Sequence, residues 1–204
     1  MKRNLPSRAL IFILIALLFI VSCTPKEVTE HQTKVTTERA TKNNEFLMGG
    51  SPITEEDLKS FSGLKYFPIN YDYNLQGNLI PFPNPQKVIL EQGDTVKEML
   101  RYGKVSFEFM GKSHELTVFK YIVDELSEEE GELFVPFFDN TNGINTYDGG
   151  RYVYPVNQGD GTVAIDFNLA SNPYCAYNHK YNCVVPPLEN SLSIEIKAGE
   201  KSYH

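Results

Sequence analysis

In "KVSFEFM", residues 104–110, Val105, Phe107 and Phe109 alternate with Lys104, Ser106 and Glu108. A two-residue period places one set of side chains on each face of a strand. "GK" (111–112) then turns into "SHELTVFKYIVD", so the pattern predicts a hairpin. Residues 71–82, 87–92, 150–156 and 161–168 carry the same period and are expected as strands. So does "SLSIEIKAG" (191–199), with Leu192, Ile194, Ile196 and Ala198 facing inward. "TVKEMLRYG" (95–103) has a mixed period and is assigned to strand because Gly93 and Gly103 bound it. "LFVPFFD" (133–139) is almost continuously apolar, the mark of a buried strand. One helix signal stands out: Thr54 with Asp57 three residues on, a capping-box spacing, predicts a short helix over 54–61. About eight to ten short strands with turns between them predict a mainly β fold. The expected form is an antiparallel β-sandwich or partly closed β-barrel with one short N-terminal helix.

The first residues follow a different pattern. Lys2, Arg3 and Arg8 precede an unbroken apolar run over residues 9–21, which ends in "IVSC" at Cys23. The run falls short of the roughly 20 residues that span a bilayer, and its length suits a signal-peptide core. A branched apolar residue, a small one and then cysteine resembles the lipobox of bacterial lipoproteins. The implied chemistry is lipidation of the Cys23 thiol and removal of residues 1–22. Thr24, in place of aspartate, fits sorting to the outer membrane. Residues 24–45 are polar and threonine-rich, a composition that predicts a flexible tether with an inert His31. Residues 46–204 are then a single β-rich domain.

Charge narrows the partners. Without residues 1–22 the formal net charge falls from −7 to −10, because three basic and no acidic side chains are lost. So acidic a chain is repelled by nucleic acid, which is excluded as a partner. The acidic run "ELSEEEGE" (125–132) reads as a solvated loop.

Three groups of residues are candidates for chemistry. Cys175 and Cys183 are the two cysteines after Cys23. In an exported chain their simplest state is a disulfide. Closing so short a loop stabilises a fold by about 2.5 kcal/mol on a chain-entropy estimate. Cys175-x₃-His179-x₃-Cys183 offers soft ligands, but the spacing matches no common zinc motif, and no metal or other cofactor is expected. A thiol nucleophile needs a histidine base, and His114 and His179 are the candidates in the domain. The second group is polar and strand-borne: Arg151, Tyr152, Asp166, Asn168, Asn172, Glu189 and Asn190. Converging, they would line a cleft for an anionic or sugar-like ligand, with Asp166 and Glu189 as an acid–base pair. The alternative is a structural network in which Arg151 satisfies Asp166 or Glu189. Third, "DNTNGINTYDGG" (139–150) is rich in oxygens that suit calcium, yet Asx turns explain it equally and the spacing is not that of an EF-hand.

These stretches together resemble a known family, domain of unknown function 1684. The likeness rests on Asp139, Thr141 and Gly143, on Thr146-Tyr147 and Gly150-Arg151-Tyr152, and on Asp166-Phe167-Asn168. It continues through Asn172–Tyr177, Cys183, Pro186–Asn190 and Ala198-Gly199-Glu200. Ser171 and Val184 depart from the pattern, as does His179. The resemblance implies one domain over about residues 46–201 and implies no activity. The expected role is a lipid-anchored envelope domain, partnered by the membrane through its anchor and binding a small molecule or an envelope protein. The alternative is a hydrolase using Asp166 and Glu189.

Overall fold

The computed structural model describes residues 25–48, 51–90, 98–122 and 131–204. The signal segment, Cys23 and most of the acidic 125–132 run lie outside the described residues. Seven strands form one antiparallel sheet: β1 (Asn74–Ile89), β2 (Glu98–Phe109), β3 (Lys112–Tyr121), β4 (Leu133–Phe137), β5 (Arg151–Val153), β6 (Val156–Asn157) and β7 (Thr162–Asp166). Their order is β5-β4-β3-β2-β1-β7-β6, and the sheet curls into a half-barrel. The expected mainly β, antiparallel architecture is therefore present.

The alternating pattern sorts side chains as anticipated. Val105, Phe107 and Phe109 on β2 join Leu116 and Val118 on β3 in the main core. Phe119 and Phe134 point the other way and meet Met99, Tyr152 and Val184 in a second cluster. Every residue of β4 is buried, because both faces of the sheet are covered there. The β2–β3 turn falls one residue earlier than predicted. Phe109 pairs with Lys112, and Met110 and Gly111 take φ of 52° and 71° between them. Two successive left-handed residues twist with the flanking strands, as hairpin turns require. The two strands expected over 71–82 and 87–92 are one long β1, Asn74–Ile89, after a 3-10 turn at Tyr71–Tyr73; its register shifts between Pro81 and Gln86, and residues 91 and 92 lie outside the described residues. Prolines there donate nothing to the ladder, and the strand bulges past them.

Two expectations are corrected. First, the tether is a helix. α1 runs from Lys26 to Leu47, well before the expected short helix, which is also present as α2 (Glu55–Leu58). In α2 the Thr54 hydroxyl accepts the Asp57 backbone N–H and donates to the Asp57 carboxylate, so Thr54 caps the helix as the spacing predicts. α1 has few apolar residues, but its contact stripe is continuous: His31, Val35, Arg39, Lys42 and Phe46 follow at three- and four-residue steps. Val35 is fully buried, and Phe46 packs with Ile53, Leu64 and Tyr177. The polar members find partners on the body. His31 Nε2 lies 2.8 Å from Asp166 Oδ2, and Arg39 donates to the carbonyls of Phe67 and Asn168, each at 2.9 Å. Lys42 Nζ is 2.6 Å from Glu200, and Asn43 accepts the Leu64 N–H at 2.8 Å. His31, expected to be inert, is buried and bonded.

Second, residues 191–199 form no strand in the sheet. Leu192, Ile196 and Ala198 face inward as the alternation requires. Their backbone is satisfied by scattered partners: Leu192 N–H donates to the Phe138 carbonyl, Asn140 N–H to that of Ile194, and the Arg151 guanidinium donates to the carbonyls of Ile196, Ala198 and Glu200. A buried carbonyl needs a donor, and a fork of N–H groups supplies one as well as a neighbouring strand does.

Candidate functional site

The polar residues singled out in the sequence fall in several places: Asp166 bonds Asn168, Tyr152 and Asn172 line one cleft, and Arg151, Glu189 and Asn190 have other partners. Arg151 is completely buried and pairs with Asp139 at 2.7 Å, with both side chains inaccessible to solvent. The structural-network alternative therefore holds for Arg151, with Asp139 as the partner in place of Asp166 or Glu189. Asp139 also accepts from the backbone and hydroxyl of Thr141, so the oxygen-rich loop folds around Arg151 and its own turn. Asp166 meets His31 and accepts the Asn168 N–H at 3.0 Å. Glu189 sits at the surface in a forked pair with Arg101, which holds its carboxyl below the usual range. Asp166 and Glu189 thus have separate partners and make no acid–base pair.

The asparagines act as substitutes for backbone. The Asn190 amide accepts the Thr117 N–H at 2.7 Å and donates to the carbonyls of Thr117 and Pro136, at 2.9 and 2.8 Å. Asn168 does the same with Asn70, accepting its N–H and donating to its carbonyl, both at 2.9 Å. A carboxamide carries the same donor and acceptor as a peptide, so one side chain completes a ladder where no strand follows. Their function is to fasten the irregular C-terminal segment.

Asn172 and Tyr152 differ, because they line a cleft. Its cavity of about 390 Å³ lies between α1 and residues 171–184. Tyr121, Tyr152, Tyr154, Tyr174 and Tyr181 wall it, and Lys42 stands at its edge. Tyr152 is anchored by donating to the Val184 carbonyl at 2.5 Å. Burial pushes the Tyr152 and Tyr154 hydroxyls far above the ordinary phenol range, so both remain protonated donors. Asn172 is 4 % exposed, and its Oδ1 has no hydrogen-bond partner among the described residues. Its other groups are fixed: the backbone N–H donates to Glu200 at 2.8 Å and Nδ2 to the Lys201 carbonyl at 2.8 Å. A second cavity of about 270 Å³ shares Lys42, Ser171 and Tyr174 with the first and ends on Glu200. Glu200 itself is closed off by Lys42, Tyr66, Tyr177 and the Asn172 N–H. Beside this carboxylate the Tyr177 hydroxyl is pushed well up, by burial first and by Glu200 next.

The expected disulfide between Cys175 and Cys183 is not present in this structure, where the two sulfurs are unbonded. The Cys175 N–H donates to Cys183 Sγ at 2.9 Å, and the Tyr147 hydroxyl donates to Cys175 Sγ at 3.7 Å. The loop is instead held by short turns and by Tyr152. His179 makes no metal cluster with the cysteines among the described residues.

The model of the family described as protein of unknown function (DUF1684) matches residues 59–201, well over half of the chain. This chain belongs to the DUF1684 family. The matched stretch contains Arg151, the tyrosine-lined cleft apart from Lys42, both late cysteines and Glu200. It leaves α1 outside. The solution NMR structure of an uncharacterized protein from Haloarcula marismortui matches with a TM-score of 0.70 and 33% identity. That match covers 89% of this chain and 100% of the haloarchaeal one. No curated protein matches this DUF1684 chain.

Sequence reasoning missed Lys42, Tyr174, Tyr181 and Glu200. Only Glu200 carried a signal, as the end of the Ala-Gly-Glu motif. The tyrosines come from β3, β5 and two loops, and nothing local announces that they share a wall.

Proposed function

We propose that this DUF1684 protein is a lipid-anchored envelope domain that binds a small polyhydroxylated ligand of about one sugar ring in the tyrosine-walled cleft. One observation carries the reading: five tyrosines wall a cavity whose lining also includes Asn172. A volume of about 390 Å³ suits a small ligand. Tyrosine faces pack against the C–H faces of a pyranose. Lys42 is neutralised by Glu200, which favours a ligand of low charge over a strong anion.

Titration of the purified protein with a panel of neutral mono- and disaccharides, followed by NMR of labelled tyrosines, tests this. Binding that shifts Tyr174 and Tyr181 is expected. Tyr174→Ala trims a half-exposed rim ring and should weaken affinity about tenfold, the loss of one aromatic contact. If no saccharide moves a tyrosine signal at millimolar concentration, the cleft is not a sugar site.

The anchor is supported by the apolar run, the preceding basic residues and Cys23. Growth with a palmitate analogue should label the wild-type protein and leave Cys23→Ser unlabelled and released from the membrane fraction. An unlabelled wild-type protein removes the anchor and the envelope location with it.

A further inference from the structure

Cys175 sits in the short 3-10 turn Tyr174–Ala176, directly after Pro173. Its sulfur receives the Tyr147 hydroxyl, and its own N–H holds Cys183 Sγ in place. Beside the two sulfurs opens a cavity of about 370 Å³, lined also by Tyr147, Gly149, Asn182 and Val185. Cys183 lines this cavity and the tyrosine cleft alike. Both residues are partly exposed and line this cavity.

We propose that Cys175 and Cys183 form a thiol–disulfide exchange centre acting on small disulfides, with Cys175 the attacking thiolate and Cys183 the resolving thiol. This does not rest on the saccharide reading. The geometry divides the roles. A thiolate at Cys175 would receive hydrogen bonds from Cys183, from Tyr147 and from the N–H groups of its own turn. They hold the Cys175 thiol down at about 7, the Cys183 hydrogen bond contributing most and burial opposing it. Tyr147 is pushed up by burial and by the sulfur it touches, so it keeps its proton and remains a donor. The other group facing the pair, Tyr152, is neutral for the same reason.

In the first step the Cys175 thiolate attacks one sulfur of a disulfide R–S–S–R. A Cys175–S–R bond forms, the substrate bond breaks, and RS⁻ leaves to take a proton from water. In the second step Cys183 loses its proton to water and attacks the Cys175 sulfur. The second RS⁻ leaves, and the substrate disulfide has been reduced to thiols at the expense of the cysteine pair. A small thiol reverses both steps and restores the resting dithiol. The bond between the cysteines is thus a stage in a cycle, and the segment that carries them has no strand ladder to resist its closing.

Alkylation by iodoacetamide, followed by peptide mass analysis across a pH series, is the test on the purified chain. Cys175 should be modified with a midpoint near pH 7. At neutral pH it should react roughly five- to tenfold faster than Cys183, as its larger thiolate fraction outweighs its lower basicity. With glutathione disulfide, Cys183→Ser should trap a mixed disulfide on Cys175, and the wild type should release both glutathione thiols and retain none. Cys175→Ser should abolish both results. Labelling of Cys183 first, a Cys175 midpoint in the ordinary thiol range, or a wild type that keeps its glutathione overturns the proposal. If Cys183→Ser does not fold, the wild-type midpoint and release decide alone.

Discussion

Arg151→Ala is expected to cost about 3–5 kcal/mol, the penalty for removing one partner of a buried ion pair. The loss has two parts. Asp139 would be left as an isolated carboxylate with no accessible surface and no countercharge. The carbonyls of Ile196, Ala198 and Glu200 would lose the donors that replace a strand. Lysine does not rescue the site, because one ammonium cannot reproduce a planar fork that reaches Asp139 and three carbonyls at once. Urea unfolding followed by far-UV circular dichroism is the measurement, since the chain has no tryptophan to report by fluorescence. Asp139→Asn should also destabilise, and the double variant should lose less than the two single losses combined. A loss under about 1 kcal/mol for Arg151→Ala would mean that water reaches the guanidinium, contrary to its complete burial.

The second large effect is expected at Val35. Its side chain is fully buried where α1 meets the body, near the turns Tyr71–Tyr73 and Phe167–Leu169 that close β1 and β7. Val35→Asp would place a carboxylate in that contact, at a cost of several kcal/mol. Val35→Ala should cost about 1.5 kcal/mol through lost methyl burial. Because α1 carries little apolar surface, the helix should detach before the sheet unfolds. Limited trypsin digestion reads this directly. Wild-type protein should resist cleavage at Lys34, Arg39 and Lys42, and Val35→Asp should be cut there while the rest stays intact. Rapid cleavage of the wild type at those sites would return residues 26–47 to a tether. Undocking would also open the cleft, because Lys42 forms part of its edge.

How much was legible differs element by element. The β2–β3 hairpin was readable because its signal is local: alternation every two residues and a glycine at the turn. The α2 cap was readable for the same reason, since Thr54 and Asp57 lie within one turn. α1 was obscured by composition. Only Val35 and Phe46 mark its stripe as apolar, and the remaining positions dock through His31, Arg39 and Lys42. A polar side chain on a helix face looks solvated until its partner is known, and Asp166 and Glu200 lie more than a hundred residues away. Residues 191–199 misled in the opposite direction. Their alternation marked the buried side chains and said nothing of whether backbone or Arg151 would satisfy the carbonyls. The candidate site failed for a related reason: Asn168 and Asn190 have the residue types of a binding site and serve as pieces of ladder.

By itself the amino-acid sequence determined the β-rich class, the hairpin, the family motif and the acidic charge, because each follows from residue type and short-range spacing. Only the tertiary structure decided which polar groups meet: Arg151 with Asp139, His31 with Asp166, Lys42 with Glu200, and the tyrosines with one another around a cleft. Hydrophobic burial requires only that a side chain face inward, and periodicity records that. A buried charge or amide requires one particular partner at hydrogen-bond distance, and in this fold that partner is chosen by chain topology rather than by neighbouring sequence.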